Sequence, residues 1–211
     1  MTTLWLESID STQRYLIDEL KESRITEPTL VATKEQTAGK GSRGNEWLGL
    51  KDNLFFSFCL KKEKLPPDLP LSATSIYFSF LLKELLALEG SSIWMKWPND
   101  FYLEKSKIGG TITNINASWF ICGIGLNLVQ APNSFKYLDI EIDSEYLLDK
   151  YQKKLENLPS WKKVLKEFKI EFTKSKSFST HVEGEKVALS SAELADDGAL
   201  VINGQRIYSL R

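Results

Sequence analysis

Four short segments concentrate residue types that can do chemistry on charged small molecules. Gly39-Lys40-Gly41-Ser42-Arg43-Gly44 combines glycines, whose backbone N–H groups can converge, with two cations able to neutralise phosphate or carboxylate. It lacks the spacing of a Walker loop, and it does not open a helix after a strand as a dinucleotide fingerprint must. Taken alone it reads equally as an anion cradle or as a mobile surface loop. Lys96-Trp97-Pro98-Asn99-Asp100 packs a cation, an aromatic, a rigid turn former, an amide and a carboxylate together. By propensity this is a turn with a packed tryptophan. As a site it would set Lys96 on phosphate and Asn99 or Asp100 on polar or metal-linked contacts to a nucleotide. Lys107-Ile108-Gly109-Gly110 puts a lysine beside two glycines that clear space for a bound molecule. Ile124-Gly125-Leu126-Asn127 sets an amide in an apolar run, where burial demands hydrogen-bond partners.

These segments need a scaffold, and the patterning supplies one. Leu4 to Leu6 reads as a strand, followed by Asp10-Ser11, a cap for a helix carrying Tyr15, Leu16 and Leu20. Thr29 to Thr33 is a second strand, residues 34–47 a polar glycine-rich loop too irregular for helix or strand, and Asn53 to Leu60 an aromatic strand. The apolar run from Pro70 to Leu88 predicts a central buried helix stopped by Gly90. Ile93 to Trp97, Phe101 to Leu103, Lys107 to Thr113 and Trp119 to Val129 predict four strands, so the chemical segments fall on strands and their turns. Two amphipathic helices follow, Ser144 to Glu156 and Trp161 to Phe172, divided by Pro159. Beyond about Ser175 the pattern changes to short strands, with hairpin signals at Asp197-Gly198 and Asn203-Gly204.

Composition narrows the class. With 211 residues, 42% hydrophobic and 26% charged, the chain can bury a sizeable core. Its net charge of -1 (27 basic against 28 acidic residues) argues against a polybasic nucleic-acid binder. Cys59 and Cys122, the only two cysteines, lie in apolar runs and read as buried free thiols rather than a disulfide framework or zinc site. The longest apolar segment, broken by Lys83 and Glu84, falls short of the roughly 20 residues that cross a bilayer. No signal peptide is legible at the N-terminus, so a cytoplasmic location is expected.

In this order the segments resemble the catalytic domain of biotin protein ligases, or biotin-[acetyl-CoA-carboxylase] ligases. The matching residues are Asp10-Ser11-Thr12, Gln36, the Gly39 to Gly44 loop with Trp47, Lys96 to Asp100, Lys107 to Gly110 and Gly123 to Asn127, across roughly residues 4 to 130. The resemblance implies an α+β fold: a mixed β-sheet packed with helices, like that of class II synthetases, over 1–173. A small SH3-like β-barrel would follow over 174–211. It implies a reaction in which biotin and MgATP give biotinyl-5'-AMP and pyrophosphate, and a lysine of a biotin carboxyl carrier protein then takes the biotinyl group. Both reactants of the first step are anions, so cations must screen them.

Carried over residue by residue, the resemblance makes Lys107, Lys40 and Lys96 catalytic. Biotin would contact Ser11, Thr12, Gln13, Gln36, Gly39, Lys40, Gly41, Ser42, Lys107, Gly110 and Gly123. ATP would contact Lys40, Arg43, Trp47, Lys96, Asn99, Asp100 and Asn127, with Asp100 also facing Mg²⁺. The carrier domain of acetyl-CoA carboxylase is the implied partner and a homodimer is open; no membrane is expected for want of a long enough apolar segment, and no DNA because the catalytic strand starts almost at Met1. The loop departs from the family's G-R-G-R-x-G: Lys40 and Ser42 stand where arginines are usual and Arg43 follows, so a looser hold on the adenylate is expected. The rivals are a lipoate or octanoate ligase or transferase, whose R-R-x-x-G-G-G segment is absent, and a non-catalytic biotin- or nucleotide-binding regulator.

Overall fold

A computed structural model describes residues 1–41, 44–132, 135–182 and 185–208. The chain runs β1 (Thr2–Leu6), α1 (Thr12–Lys21), β2 (Thr29–Thr33), β3 (Gly39–Lys40), β4 (Glu46–Trp47), β5 (Leu54–Lys61) and α2 (Thr74–Leu88). It continues through β6 (Trp94–Lys96), β7 (Asp100–Leu103), β8 (Ser106–Asn116), β9 (Trp119–Leu126), α3 (Ser144–Glu156) and α4 (Trp161–Ser175). The last strands are β10 (Ser179–Val182), β11 (Glu185–Ala188), β12 (Glu193–Leu194), β13 (Leu200–Ile202) and β14 (Gln205–Ile207).

Seven strands form one mixed sheet in the order β1-β2-β5-β9-β8-β7-β6, parallel between β1 and β2 and antiparallel elsewhere. Alternation along β5 sorts its two faces. Phe56, Phe58 and Leu60 enter the large core shared with α2, α3 and α4, whereas Cys59 joins Val31, Ile121, Leu16 and Leu20 beneath α1. The architecture is therefore layered: α1 on one face, three helices on the other.

Local chemistry explains the element ends. Ser11 caps α1 by accepting from the Arg14 N–H at 3.4 Å, and Asp143 caps α3 by accepting from Tyr146 N–H at 2.9 Å. Asp68 accepts from the N–H groups of Trp161 and Lys162, both at 3.0 Å, at the start of α4. The 18 residues Leu71–Leu88 are long and apolar enough to cross a membrane, yet 61% of them are buried, between the sheet and two helices.

Several boundaries differ from expectation. Pro70 precedes a 3-10 turn, Leu71–Ala73, and the α-helix starts only at Thr74. The loop over 34–47 is not strand-free, because β3 and β4 pair Gly39 with Trp47 and Lys40 with Glu46. Trp119 to Val129 ends as a strand at Leu126, where Asn53 Oδ1 accepts from the N–H groups of Leu128 (2.9 Å) and Val129 (3.1 Å) and bends the chain away. The C-terminal strands form a two-stranded and a three-stranded sheet. Asn203 and Gly204, with φ of 51° and 77°, make the two-residue turn between β13 and β14. Leu189, Ala192, Leu200 and Ile202 join the main core.

Candidate functional site

An open cleft lies on the α1 face of the sheet, just beyond the helix N-terminus. Its floor is the α1-facing row of β5, β8 and β9, where the sequence places Ser57, Gly110, Gly123 and Gly125. A Cβ on Gly123 would come within 3.0 Å of Ser57 Oγ, and one on Gly125 within 3.0 Å of the Trp47 ring. Glycine at these alternate positions makes room that any side chain would fill.

One end of the cleft is polar and tightly cross-linked. The Thr12 N–H donates to Gln36 Oε1 at 2.8 Å, Thr12 Oγ1 donates to the same oxygen at 3.1 Å, and Thr12 Oγ1 and Ser57 Oγ are 2.9 Å apart. Gln13 Nε2 donates to Asn114 Oδ1 at 3.2 Å. Gln36 itself is held because residues 37 and 38 donate to the carbonyls of Ile9 (3.0 Å) and Asp10 (2.9 Å). Ser11 is both helix cap and cleft wall, so the two readings of that residue are compatible.

The other end carries charge and an aromatic. Lys107 Nζ lies 2.7 Å from Asp100 Oδ1 and 5.4 Å from the Trp47 ring centroid. Trp47 stands over Gly125 and meets Phe135 edge-on at 6.3 Å. Lys40 and Gly41 line the same side, with the Gly41 N–H donating to the Asn45 carbonyl at 2.7 Å. Beside them burial pushes the Tyr102 phenol up to about 12, with the Asp100 carboxylate adding to the effect, so Tyr102 stays neutral.

Most residues singled out in the sequence therefore meet in one place: Ser11, Thr12, Gln13, Gln36, Lys40, Gly41, Trp47, Asn99, Asp100, Lys107, Gly110 and Gly123 all line the cleft. Asn99 is 2% exposed and donates through Nδ2 to the Thr111 carbonyl, so it braces the β7–β8 pairing from the cleft wall. Gly39, Lys96 and Asn127 do not line it. Gly39 packs behind, where a Cβ would come within 2.7 Å of the Trp47 carbonyl. Lys96 lies one strand further out, opposite Asp100. Asn127 is 1% exposed and donates to the Lys136 carbonyl at 3.2 Å, while its Oδ1 is buried without a partner among the described residues. Ser42 and Arg43 fall outside the described residues.

Sequence reasoning missed Ser57 and Asn114. Ser57 had a signal, a hydroxyl breaking the apolar run of Asn53 to Leu60, but Asn114 was indistinguishable from a surface amide. Burial pushes the Cys59 thiol up and the Cys122 thiol far up, so neither is a ready nucleophile. Among the described residues no three His, Cys, Asp or Glu gather to hold a metal. Mg²⁺ bound through phosphate oxygens and water needs only one or two protein carboxylates, and Asp100 is placed to be one.

A mixed sheet with Gly110, Gly123 and Gly125 gathered on one face, walled by a capped helix and closed by a lysine–carboxylate pair beside a tryptophan, defines a small-molecule cleft on a fold of the α+β class. Residues 5–127 match the biotin/lipoate A/B protein ligase family, more than half of the chain, and the chain belongs to that family. It is 29% identical over 130 residues to the bifunctional ligase/repressor BirA of Escherichia coli (strain K12), a match covering 58% of this chain and 39% of that protein. The chain thus spans about two-fifths of the length of such curated relatives. The biotin acetyl coenzyme A carboxylase synthetase of Helicobacter pylori, solved with bound biotinylated ATP, superposes with a TM-score of 0.94 at 40% identity over 99% of each chain. The biotin protein ligase of Aquifex aeolicus, in complex with biotin and ATP, superposes at 0.73 with 23% identity over 100% of this chain and 96% of that one, a likeness of fold.

Proposed function

We propose that the protein is an ATP-dependent biotin-[acetyl-CoA-carboxylase] ligase. The observation that carries this reading is the two-ended cleft, polar at Thr12, Gln36 and Ser57 and cationic at Lys107, joined by a glycine floor. Biotin's ureido ring would pair with the polar end, its valeryl chain would cross Gly123, and its carboxylate would reach Lys107. Trp47 offers a face for adenine. The Helicobacter relative and its biotinylated nucleotide support this placement over a lipoate or octanoate substrate.

In the first step a carboxylate oxygen of biotin attacks the α-phosphorus of ATP, the α–β phosphoanhydride bond breaks, and pyrophosphate leaves. Lys107 screens the approaching anions and stabilises charge gathering on the α-phosphate oxygens. Asp100 keeps the ammonium aimed into the cleft. Lys40, Lys96 and Arg43 would add positive charge along the nucleotide, and Mg²⁺, held through Asp100 and phosphate oxygens, would screen the triphosphate. Asn127 would support the nucleotide end from behind the cleft, where its buried Oδ1 has no partner among the described residues. In the second step the neutral ε-amine of a carrier lysine attacks the acyl carbon, the mixed-anhydride C–O bond breaks, and AMP leaves with loss of a proton from the new amide nitrogen.

We further propose that 1–173 form the catalytic unit and 174–211 a small SH3-like β-barrel seated on it. Its support is the bonding between them: Trp97 Nε1 donates to the Gly198 carbonyl at 3.0 Å and Trp161 Nε1 to that of Asp196 at 2.7 Å. Residues 112–116 of β8 pair with β9 alone among the described strands, leaving an edge where the carrier domain or a second copy can add a strand. At net charge -1 nucleic acid is not a proposed partner, and the proposed location is the cytoplasm. Incubation with MgATP, a biotin acceptor domain of acetyl-CoA carboxylase and biotin, lipoate or octanoate in turn tests the reading. It requires one biotinyl group on one acceptor lysine by mass spectrometry, and lipoyl or octanoyl transfer instead would reject it.

A further inference from the structure

Hydrogen bonds at the polar end of the cleft run in a fixed direction. Thr12 has one hydroxyl proton, given to Gln36 Oε1, so the hydrogen in the 2.9 Å contact between Thr12 and Ser57 comes from Ser57. Ser57 Oγ is left with lone pairs. It lies 3.0 Å from the point that a Cβ on Gly123 would occupy, and Gln13 Oε1 lies 3.3 Å from the same point. Two acceptor oxygens, one from β5 and one from α1, thus converge on a spot that only a glycine leaves open.

A glutamine amide carries an oxygen and a nitrogen of nearly equal size, and the partner on its far side decides which one faces a ligand. For Gln13 that partner is Asn114. Gln13 Nε2 donates to Asn114 Oδ1 at 3.2 Å, which turns Oε1 inward. Regular structure delivers both residues to this contact. Gln13 is the second residue of α1 and is 5% exposed. Alternation along β8 brings Gly110, Ile112 and Asn114 to the α1 face, with Ile112 paired to Gly123 and Asn114 to Ile121. Asn114 itself is exposed and does not line the cleft.

We propose that Asn114 is a positioning residue that holds the Gln13 carbonyl toward the Gly123 floor, so that the polar end of the cleft selects a ring bearing N–H donors, the cyclic urea of biotin. This rests on the biotin reading and deepens it. The urea offers its two N–H groups to Ser57 Oγ and Gln13 Oε1. A saturated acyl chain or a dithiolane ring has no N–H to give, and would take both oxygens out of water without a partner. Selection against lipoate and octanoate would thereby be set in part by a residue that the substrate never touches.

The test is calorimetric titration of biotin into the parent, Asn114→Leu, Asn114→Asp, Gln13→Leu and the double variant of both leucines. Asn114→Leu keeps the size of the side chain and removes its acceptor, so it should weaken biotin about 3- to 10-fold, the scale of one hydrogen bond. Dethiobiotin, which keeps the cyclic urea and lacks the sulfur, should lose the same factor, while the KM for MgATP in pyrophosphate exchange stays at the parent value. Asn114→Asp, which can only accept, should restore the parent affinity, and Asn114→Leu should add nothing in the Gln13→Leu background. Unchanged biotin affinity in Asn114→Leu, an equal loss for MgATP, full additivity with Gln13→Leu, or failure of aspartate to rescue would overturn the proposal. Biotin binding without exchange would reject the ligase reading alone and leave the titrations to decide the role of Asn114. A folded parent that binds no biotin would overturn both.

Discussion

Lys107 Nζ and Asp100 Oδ1, on adjacent strands, meet at 2.7 Å with both side chains on the cleft wall. The carboxylate restrains a long flexible side chain whose charge must arrive at one point in the transition state. Asp100→Asn is expected to lower kcat/KM for MgATP roughly 10- to 100-fold, the scale of a lost charged hydrogen bond. Steady-state exchange kinetics and a thermal melt check this, and the unfolding midpoint should hardly move because the pair is partly solvated.

The glycine floor predicts a division of labour. Gly123→Ala puts a Cβ 3.0 Å from Ser57 Oγ and 3.3 Å from Gln13, so it should weaken biotin. Gly125→Ala meets the Trp47 ring at 3.0 Å and should weaken the nucleotide. Overpacking of this kind costs about 1–3 kcal/mol, roughly 10- to 100-fold in Kd for the affected ligand. Calorimetric titration of each variant with each ligand should show the losses on opposite substrates.

Cys122 is fully buried and its thiol is held protonated. Cys122→Ala should keep kcat within about twofold of the parent, since no covalent acyl-enzyme is needed. A near-complete loss of turnover in a folded variant would point instead to thioester chemistry.

Asp68 supplies a pH signature. Burial pushes its carboxyl up, but the N–H groups of Lys162 and Trp161 outweigh this and hold it below the ordinary range. Its contribution to stability is therefore full above the unfolded value of about 3.9 and is lost as pH falls through the lower folded value. The gap in melting temperature between parent and Asp68→Asn should be constant at neutral pH and close below about pH 4. A gap that persists at lower pH would show that the loss is not ionic.

Where chemistry was concentrated in short segments, the sequence was a good guide. The helix after Ser11 followed from its cap and the strand Thr29–Thr33 from a short β-branched and apolar run, and the cleft residues followed from glycines beside cations. Long-range partnerships carried no local signal. Nothing near Trp97 announces that its N–H will be satisfied by Ser175, or that Glu171 will join Lys83 at 2.8 Å and the Met95 N–H in the core. The β3–β4 pair was missed because a two-residue ladder around glycines has no periodicity to detect.

The central claim is that Lys107 serves activation of a biotin carboxylate by ATP at this cleft. Biotin-dependent ATP–pyrophosphate exchange, compared between parent and Lys107→Ala, tests it most directly. The account predicts exchange with biotin but not with lipoate or octanoate, reduced at least about 100-fold in the variant while biotin-free protein and variant melt alike. Exchange that survives in Lys107→Ala, or that is absent from folded parent protein with Mg²⁺, would contradict it.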